Sequence, residues 1–265
     1  MNNSRLTLSL LLIITLVGFT GRAQVKGPWN GKQCAVALTY DDALNVHLSN
    51  VVPLLDSLGF KGTFYLSGFF PGLRARLADW IAVGKEGHEL GNHTLFHPCE
   101  GEAPGREWVP RDYDLNKYTV RRMVDEITMA NTLLQAMDGN KIRTFAYPCG
   151  DKKAGDSSYV GMIKDVFPGA RGVQEKMQKK EEVDLYDIGA YMINGQSGED
   201  LIRLVRDAMA KQALLVFLFH GVGGEHSLNV SLSAHRELLQ FLKQNEKHIW
   251  VAPMLDICSY VKGEK

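Results

Sequence analysis

The sequence predicts an α/β domain whose parallel sheet is either open or closed into a barrel. Apolar runs of strand length alternate with longer stretches in which apolar residues recur at helical spacing. The 265 residues, 45% hydrophobic and 23% charged, are long enough to bury a core. The sequence contains no second composition regime, repeat or low-complexity linker, so we expect a single domain.

The predicted strands and helices alternate along the chain. Strands are predicted at residues 34–39, 63–66, 88–91, 144–147, 169–173, 188–193, 214–219 and 249–252. Helices are predicted at residues 46–58, 73–83, 118–137, 158–166, 198–210 and 231–246. The longest helical pattern, 118–137, places its apolar residues on one face. Segment 98–117 is polar and long for a loop inside a compact domain, which indicates a functional lid or an insertion.

The first 23 residues predict a secretory signal peptide, so that residues 24–265 form the mature domain. A short polar start precedes 14 uncharged residues, and small residues stand three and one positions before Gln24. A membrane anchor is the alternative, but this run is shorter than the roughly 20 residues that span a bilayer. We therefore expect an exported protein, periplasmic or secreted, with no stable membrane insertion after removal of the signal.

The charge balance excludes a nucleic-acid partner. Lys and Arg number 30, Asp and Glu number 30, and the formal net charge is zero. Loss of the signal peptide leaves 242 residues with a net charge of −2. Neither value provides the basic surface that nucleic acid requires.

Residues that can carry chemistry follow several predicted strands, and in a parallel sheet such residues collect at one edge. Asp41 and Asp42 follow the first strand, although an Asp-Asp pair alone is more often a turn or a helix cap. His93 and His97 follow the third strand, and two histidines four apart in a helical turn can hold one ion. His220, before a Gly-rich turn, is a candidate acid or base, with a capped loop histidine as the alternative.

The order of these motifs resembles the polysaccharide deacetylases, the NodB-homology domain or carbohydrate esterase family 4, over residues 33–261. The matching segments are TYDD at 39–42, HTLFH at 93–97, AYPC at 146–149, LFH at 218–220 and, loosely, DLYD at 184–187. The resemblance implies a distorted (β/α) barrel of about seven parallel strands, with the site at their carboxyl ends.

The resemblance also implies a ligand set. Asp42, His93 and His97 are expected to hold a divalent metal, most simply zinc, with cobalt or nickel as alternatives. Three protein ligands leave a coordination position open for water or substrate, as catalytic rather than structural zinc sites do.

The resemblance assigns catalytic roles as well. Asp41 is the expected general base, and His220, protonated, is the expected general acid. The backbone N–H of Cys149 is the expected donor to the acyl oxygen, since Pro148 has no N–H. Tyr147 and Trp108 are the expected substrate-binding residues, although a plain loop anchor is an equal alternative for Trp108.

Two residues depart from the family pattern. The arginine that accompanies the base in the third motif is replaced by Ala146, so Asp41 lacks that cation. Cys149 stands where an aromatic residue is usual, and Cys99 follows His97 by two residues. The thiols of Cys99 and Cys149 are therefore expected near the site, and we predict a disulfide between them. Cys34 and Cys258 either form disulfides or are buried as small apolar residues.

The predicted function is metal-dependent removal of N- or O-linked acetyl groups from an extracytoplasmic polysaccharide or oligosaccharide. One alternative is a deacylase that acts on a small molecule or a non-acetyl ester. Another is a catalytically silent glycan-binding domain of the same fold. For the remaining histidines, the sequence predicts a structural role for His88 and surface or loop positions for His47, His226, His235 and His248.

Overall fold

A computed structural model of the protein describes residues 27–264, and its centre is a parallel sheet. The strands of this sheet are β1 (Cys34–Asp41), β2 (Thr63–Leu66), β3 (Glu89–Asn92), β4 (Phe145–Ala146), β7 (Ala170–Arg171), β8 (Tyr191–Met192), β9 (Leu214–Phe219) and β12 (Ile249–Val251). Two short pairs lie outside it, β5 (Lys153–Ala154) with β6 (Ser157–Ser158) and β10 (Gly221–Val222) with β11 (Asn229–Val230).

The sheet is curled into the expected distorted barrel. Seven strands follow the order β7-β4-β3-β2-β1-β9-β8, every pair is parallel, and β12 pairs with the first part of β1. The two edges approach each other where Ile188, three residues before β8, bridges to Arg171 of β7. Gly172 N donates to Ile188 O at 2.9 Å there. The prediction of a single (β/α) barrel domain of about seven parallel strands is confirmed.

The helices cover the outside of the sheet. They are α1 (Val52–Ser57), α2 (Pro71–Ala75), α3 (Leu77–Lys85), α4 (Val120–Asp138), α5 (Val160–Val166), α6 (Gly198–Lys211), α7 (Leu232–Gln244) and α8 (Met254–Lys262). The Thr119 side chain caps the start of α4, and Gly139 ends it in the left-handed conformation. Two predicted helices prove to be divided, since a π-helical turn over His47–Val51 precedes α1 and Arg76 separates α2 from α3.

The core lies on both sides of β1, whose eight residues are all buried. On its outer side Tyr40 stacks between Phe64 and Phe219, with ring centroids 5.1 and 5.3 Å away. Cys34 and Cys258 are free, buried thiols, as the apolar alternative predicted, and burial raises the pKa of Cys34 to about 12. The core therefore holds β1 rigidly and fixes where the residues at its carboxyl end lie.

Between residues 27 and 264 no helix is both long and apolar enough to cross a membrane. The predicted signal peptide, residues 1–23, lies outside the described residues, so its cleavage stays a prediction.

Candidate active site

All eight site residues predicted from the sequence line one cavity of about 770 Å³ at the carboxyl ends of the strands. They are Asp41, Asp42, His93, His97, Trp108, Tyr147, Cys149 and His220. Asp41 ends β1, His93 follows β3 and His220 follows β9. Because every strand of the sheet runs in the same direction, residues far apart in sequence meet at this edge.

Asp41 and Asp42 both face the cavity, although consecutive residues of a strand normally point to opposite sides. Asp42 has φ of 79° and Ala43 has φ of 55°, so the chain turns sharply through the left-handed region as it leaves β1. This turn brings the second carboxyl group to the same side as the first. Both side chains are buried, with relative exposures of 3% and 4%.

The histidine pair is brought together differently from the prediction. Residues 93–97 form no helical turn, because Thr94 (φ 66°) and His97 (φ 51°) are left-handed and interrupt the helical pattern. The Thr94 hydroxyl accepts a hydrogen bond from His97 N at 2.9 Å and holds this loop closed. The two rings meet at a centroid distance of 4.7 Å with an interplanar angle of 75°.

Asp42, His93 and His97 present their ligand atoms to one point. Asp42 Oδ1 lies 3.7 Å from His93 Nε2 and 3.6 Å from His97 Nε2. Zinc–ligand bonds of 2.0–2.1 Å at tetrahedral angles place donor atoms about 3.4 Å apart, close to these separations. His93 Nδ1 donates to Ala146 O at 2.9 Å, which leaves the Nε2 lone pair for a metal.

The electrostatics of the three residues fit a cation. Within residues 27–264 the buried Asp42 Oδ1 has no hydrogen-bond partner. Burial and the neighbouring Asp41 carboxylate raise the pKa of Asp42 well above its ordinary value, while burial lowers the pKa of His97 well below its own. A divalent cation stabilises an ionised carboxylate and neutral imidazoles together, so the residues present fit the expected metal.

The cation missing from the third motif is supplied by another strand. Arg171, at the end of β7, is fully buried, and its Nη2 donates to Asp41 Oδ2 at 2.5 Å. Ala146, where the family pattern has arginine, is the direct neighbour of Arg171 in the β4–β7 register. Arg171 is thus the group that takes the place of the third-motif arginine, which the sequence left unidentified.

This ion pair keeps Asp41 ionised. Burial alone raises the pKa of this carboxyl group, but the Arg171 guanidinium and the neighbouring His93 and His220 hold it below its ordinary value. Asp41 Oδ1 has no hydrogen-bond partner among residues 27–264 and lines the cavity. Asp41 is thus an anchored carboxylate of which one oxygen is bonded to Arg171 and the other accepts no hydrogen bond from residues 27–264.

His220 follows β9, which pairs directly with β1, so it lies beside the end of β1 that carries Asp41. Its Nε2 is 3.9 Å from Asp42 Oδ2, and burial lowers its pKa to about 3. Burial therefore favours the neutral form of this ring. Asp187, in the loosely matching fourth motif, pairs with Lys152 Nζ at 2.6 Å.

Two histidines expected at the surface are buried instead. His47 Nε2 hydrogen-bonds to His220 O at 2.7 Å, so His47 positions the backbone of the candidate acid. His235 Nε2 hydrogen-bonds to the Tyr40 hydroxyl at 2.8 Å beneath it. These contacts cross more than 170 residues of sequence, which is why no local pattern marked them. His88 contacts Gly62 N and Asp56, in the predicted structural role.

The predicted disulfide is present. Cys99 and Cys149 are bonded across a sequence separation of 50. Cys149 is left-handed, with φ of 55°, and the bond ties this strained residue to the loop that carries His97. Cys99 Sγ lies 3.6 Å from His97 Nδ1, so the disulfide also contacts a predicted metal ligand.

Reduction of this disulfide is expected to destabilise the protein by on the order of 3 to 4 kcal/mol, because opening a loop of this length restores conformational entropy to the unfolded chain. Urea unfolding with and without reductant measures the change. The double variant Cys99→Ser/Cys149→Ser is the control, since reductant should not destabilise it further. An unfolding midpoint of the wild type that reductant does not move would contradict the prediction.

Both predicted substrate-binding residues line the cavity. Trp108, in the 98–117 loop, is 53% exposed, and its ring lies 6.2 Å from that of His97. Tyr147 is buried, and its hydroxyl donates to Tyr186 O at 3.1 Å. Arg106 of the same loop binds Asp151 and Cys149 O, which anchors the loop beside the disulfide.

Comparison with known proteins identifies this arrangement. Residues 30–158 match the family model described as polysaccharide deacetylase. This stretch, just under half of the chain, therefore carries a polysaccharide deacetylase domain. The matched region includes Asp41, Asp42, His93 and His97, whereas Arg171 and His220 lie beyond it.

Two curated relatives are similar to this chain. A peptidoglycan-N-acetylmuramic acid deacetylase of Bacillus subtilis is 26% identical over 75% of this chain and 64% of its own length. A peptidoglycan-N-acetylglucosamine deacetylase of Bacillus cereus is 36% identical over 27% of this chain and 25% of its own length. The alignments thus span less than two thirds of either relative.

Solved structures share the fold of this chain. A deacetylase structure from Mycobacterium smegmatis superposes with a TM-score of 0.61 at 13% identity, covering 88% of this chain and 92% of that one. The Xyl-CE4 domain of a xylanase from the hindgut metagenome of Trinervitermes trinervoides has a TM-score of 0.54 at 17% identity, covering 87% and 91%. At these identities the likeness establishes the fold alone.

Proposed function

We propose that the protein is a metal-dependent deacetylase that removes N- or O-linked acetyl groups from a glycan outside the cytoplasm. The observation that carries this proposal is the buried cluster of Asp42, His93 and His97 directly beside an ionised, arginine-anchored Asp41. A metal-ligand set next to a fixed general base is the arrangement that metal-assisted hydrolysis requires.

Asp42, His93 and His97 would hold the cation, with zinc preferred because nitrogen and carboxylate ligands suit it. When bound, such an ion polarises the acyl carbonyl and lowers the pKa of the attacking water. Asp41 accepts the proton of that water, since its carboxylate is ionised and its Oδ1 has no hydrogen-bond partner among residues 27–264. Arg171 keeps the base oriented throughout, because it is buried and bonded to the opposite oxygen.

His220 is the proposed proton donor to the departing sugar amine or hydroxyl. Burial favours the neutral form of the ring, so the proton that it donates is taken up from solvent as negative charge develops on the substrate. The backbone N–H of Cys149 is the proposed donor to the acyl oxygen. The disulfide and the Arg106 contact to Cys149 O hold that residue in its left-handed conformation.

An acetylated glycan is the proposed substrate, and peptidoglycan is the first candidate because two relatives are named for it. Trp108 offers an exposed aromatic face beside the metal-facing His97, where a sugar ring can stack. Other aromatic residues, including Phe69 and Phe70, line the same cavity. The 14 uncharged residues of the predicted signal peptide support export, which places the enzyme with extracytoplasmic glycans.

Acetate release tests the proposal. Zinc-loaded protein is incubated with peptidoglycan, chitin oligomers, acetylated xylan and small aryl acetates, and acetate is quantified. We expect release from at least one glycan and its loss in Asp41→Asn, which preserves the size of the side chain but cannot accept the proton. Release from aryl acetates alone would favour the small-molecule deacylase, and release from none would favour the silent binding domain.

A further inference from the structure

His226 lies in the active-site cavity, although the sequence predicted a surface or loop position for it. It belongs to the loop between β10 and β11. Its ring stacks on that of His220, with a centroid distance of 4.7 Å and an interplanar angle of 16°. The side chain is 26% exposed, so it lies closer to the mouth of the cavity than His220, at 13%.

The hydrogen bonds of His226 determine which of its nitrogens carries the proton. Leu228 N donates to His226 Nδ1 at 3.0 Å, so the Nδ1 lone pair is occupied as an acceptor. The ring therefore carries its proton on Nε2. Asp42 Oδ2 lies 4.0 Å from Nε2, too far to accept that proton. His226 consequently presents an N–H donor to whatever fills the cavity.

The same geometry excludes His226 as a metal ligand. A ligating Nε2 needs a free lone pair, and here that nitrogen holds the proton. The stacked rings of His220 and His226 are nearly parallel, so their in-plane lone pairs run side by side and do not converge on one ion. A second cation shared with Asp42 Oδ2 is therefore disfavoured.

The loop that carries His226 is held from both sides. Val46 N donates to Glu225 Oε2 at 2.7 Å, which ties the loop to the segment after β1. On the other side Gly224 N donates to Asn229 Oδ1 at 2.8 Å, and Asn229 O accepts from Gly195 N at 2.8 Å. These bonds orient the imidazole before a ligand arrives, which lowers the entropic cost of using it.

We propose that His226 Nε2–H donates a hydrogen bond to an oxygen of the sugar that bears the acetyl group, and so determines which sugar position is deacetylated. This inference rests on the proposed function. His226 stacks on His220, which faces the departing amine or hydroxyl, so the substrate atoms nearest to it belong to the leaving sugar. His226 is a positioning and specificity residue of this reaction.

Two variants separate the donor from the ring. His226→Phe retains an aromatic ring that can stack on His220 but removes the N–H, whereas His226→Gln retains a side-chain N–H donor. For each, kcat/KM is measured on a chitin oligomer and on 4-nitrophenyl acetate, whose leaving group has no sugar hydroxyl. Thermal unfolding of each variant verifies that it folds.

The ratio of glycan to aryl-acetate kcat/KM is expected to fall about tenfold or more in His226→Phe, the size of one lost hydrogen bond to a desolvated group. In His226→Gln the ratio should return to within about threefold of wild type. An unchanged ratio in His226→Phe, or no recovery in His226→Gln, would overturn the inference. A wild-type enzyme that hydrolyses the aryl acetate but no glycan rejects the proposed function itself and this inference with it.

Discussion

Chelation of the metal is expected to lower kcat/KM for acetate release by on the order of 10³-fold, because loss of the Lewis acid removes several kcal/mol of transition-state stabilisation. Asp42, His93 and His97 offer ligand atoms that lie within 4.8 Å of one another. Among residues 27–264, the imidazoles within 4 Å of Asp42 Oδ1 are those of His93 and His97. Readdition of zinc should restore the activity, measured on the same protein sample.

The ligand assignment is tested by His93→Ala and His97→Ala. Each should retain less than half of the wild-type zinc content after dialysis, because each removes one of three ligands. His248→Ala is the matched control, since this histidine is exposed and far from the cavity lining. Undiminished zinc content in both ligand variants would refute the assignment, and equal loss in the control would show that zinc binds unspecifically.

Replacement of Arg171 by methionine is expected to lower kcat/KM by about 10²-fold or more and to destabilise the fold by about 3 to 5 kcal/mol, because it leaves Asp41 as a buried carboxylate without its cation. The guanidinium of Arg171 is fully buried and bonded to Asp41 Oδ2. Denaturant unfolding measures the stability change, and steady-state kinetics measures the activity.

Moving the arginine from β7 to β4 separates its effect on Asp41 from its contribution to packing. In Ala146→Arg/Arg171→Ala the guanidinium moves to the register neighbour on β4, the position at which the family pattern has it. We expect this double variant to regain at least a tenth of the wild-type kcat/KM, while Arg171→Ala alone stays as low as Arg171→Met. Equal activities of the single and double variants would show that Arg171 acts through packing alone.

Much of the architecture was accessible from local sequence patterns. The apolar runs at β2 and β9 were predicted with the bounds that the structure has, because a continuous run of four to six apolar residues between turn signals is a strong strand pattern. The disulfide was accessible because Cys99 and Cys149 each adjoin a motif expected at the same site. Errors arose where the backbone leaves regular structure, as in the left-handed turns at Thr94 and His97 that replaced a predicted helical turn.

The sequence was enough to predict which residues lie at the carboxyl edge of the sheet, since in an all-parallel sheet every residue that directly follows a strand lies at that edge. Asp41, His93 and His220 were located by that rule alone. The side chains that contact these residues became clear only from the folded structure. Arg171 reaches Asp41 although β4, β3 and β2 lie between β7 and β1 in the sheet, because the sheet curls into a barrel. His226 reaches His220 because the loop between β10 and β11 brings the two rings together. Such contacts between distant parts of the chain depend on the order of the strands in the sheet and on the path of the loops. Neither the strand order nor the loop path produces a periodic pattern in the sequence.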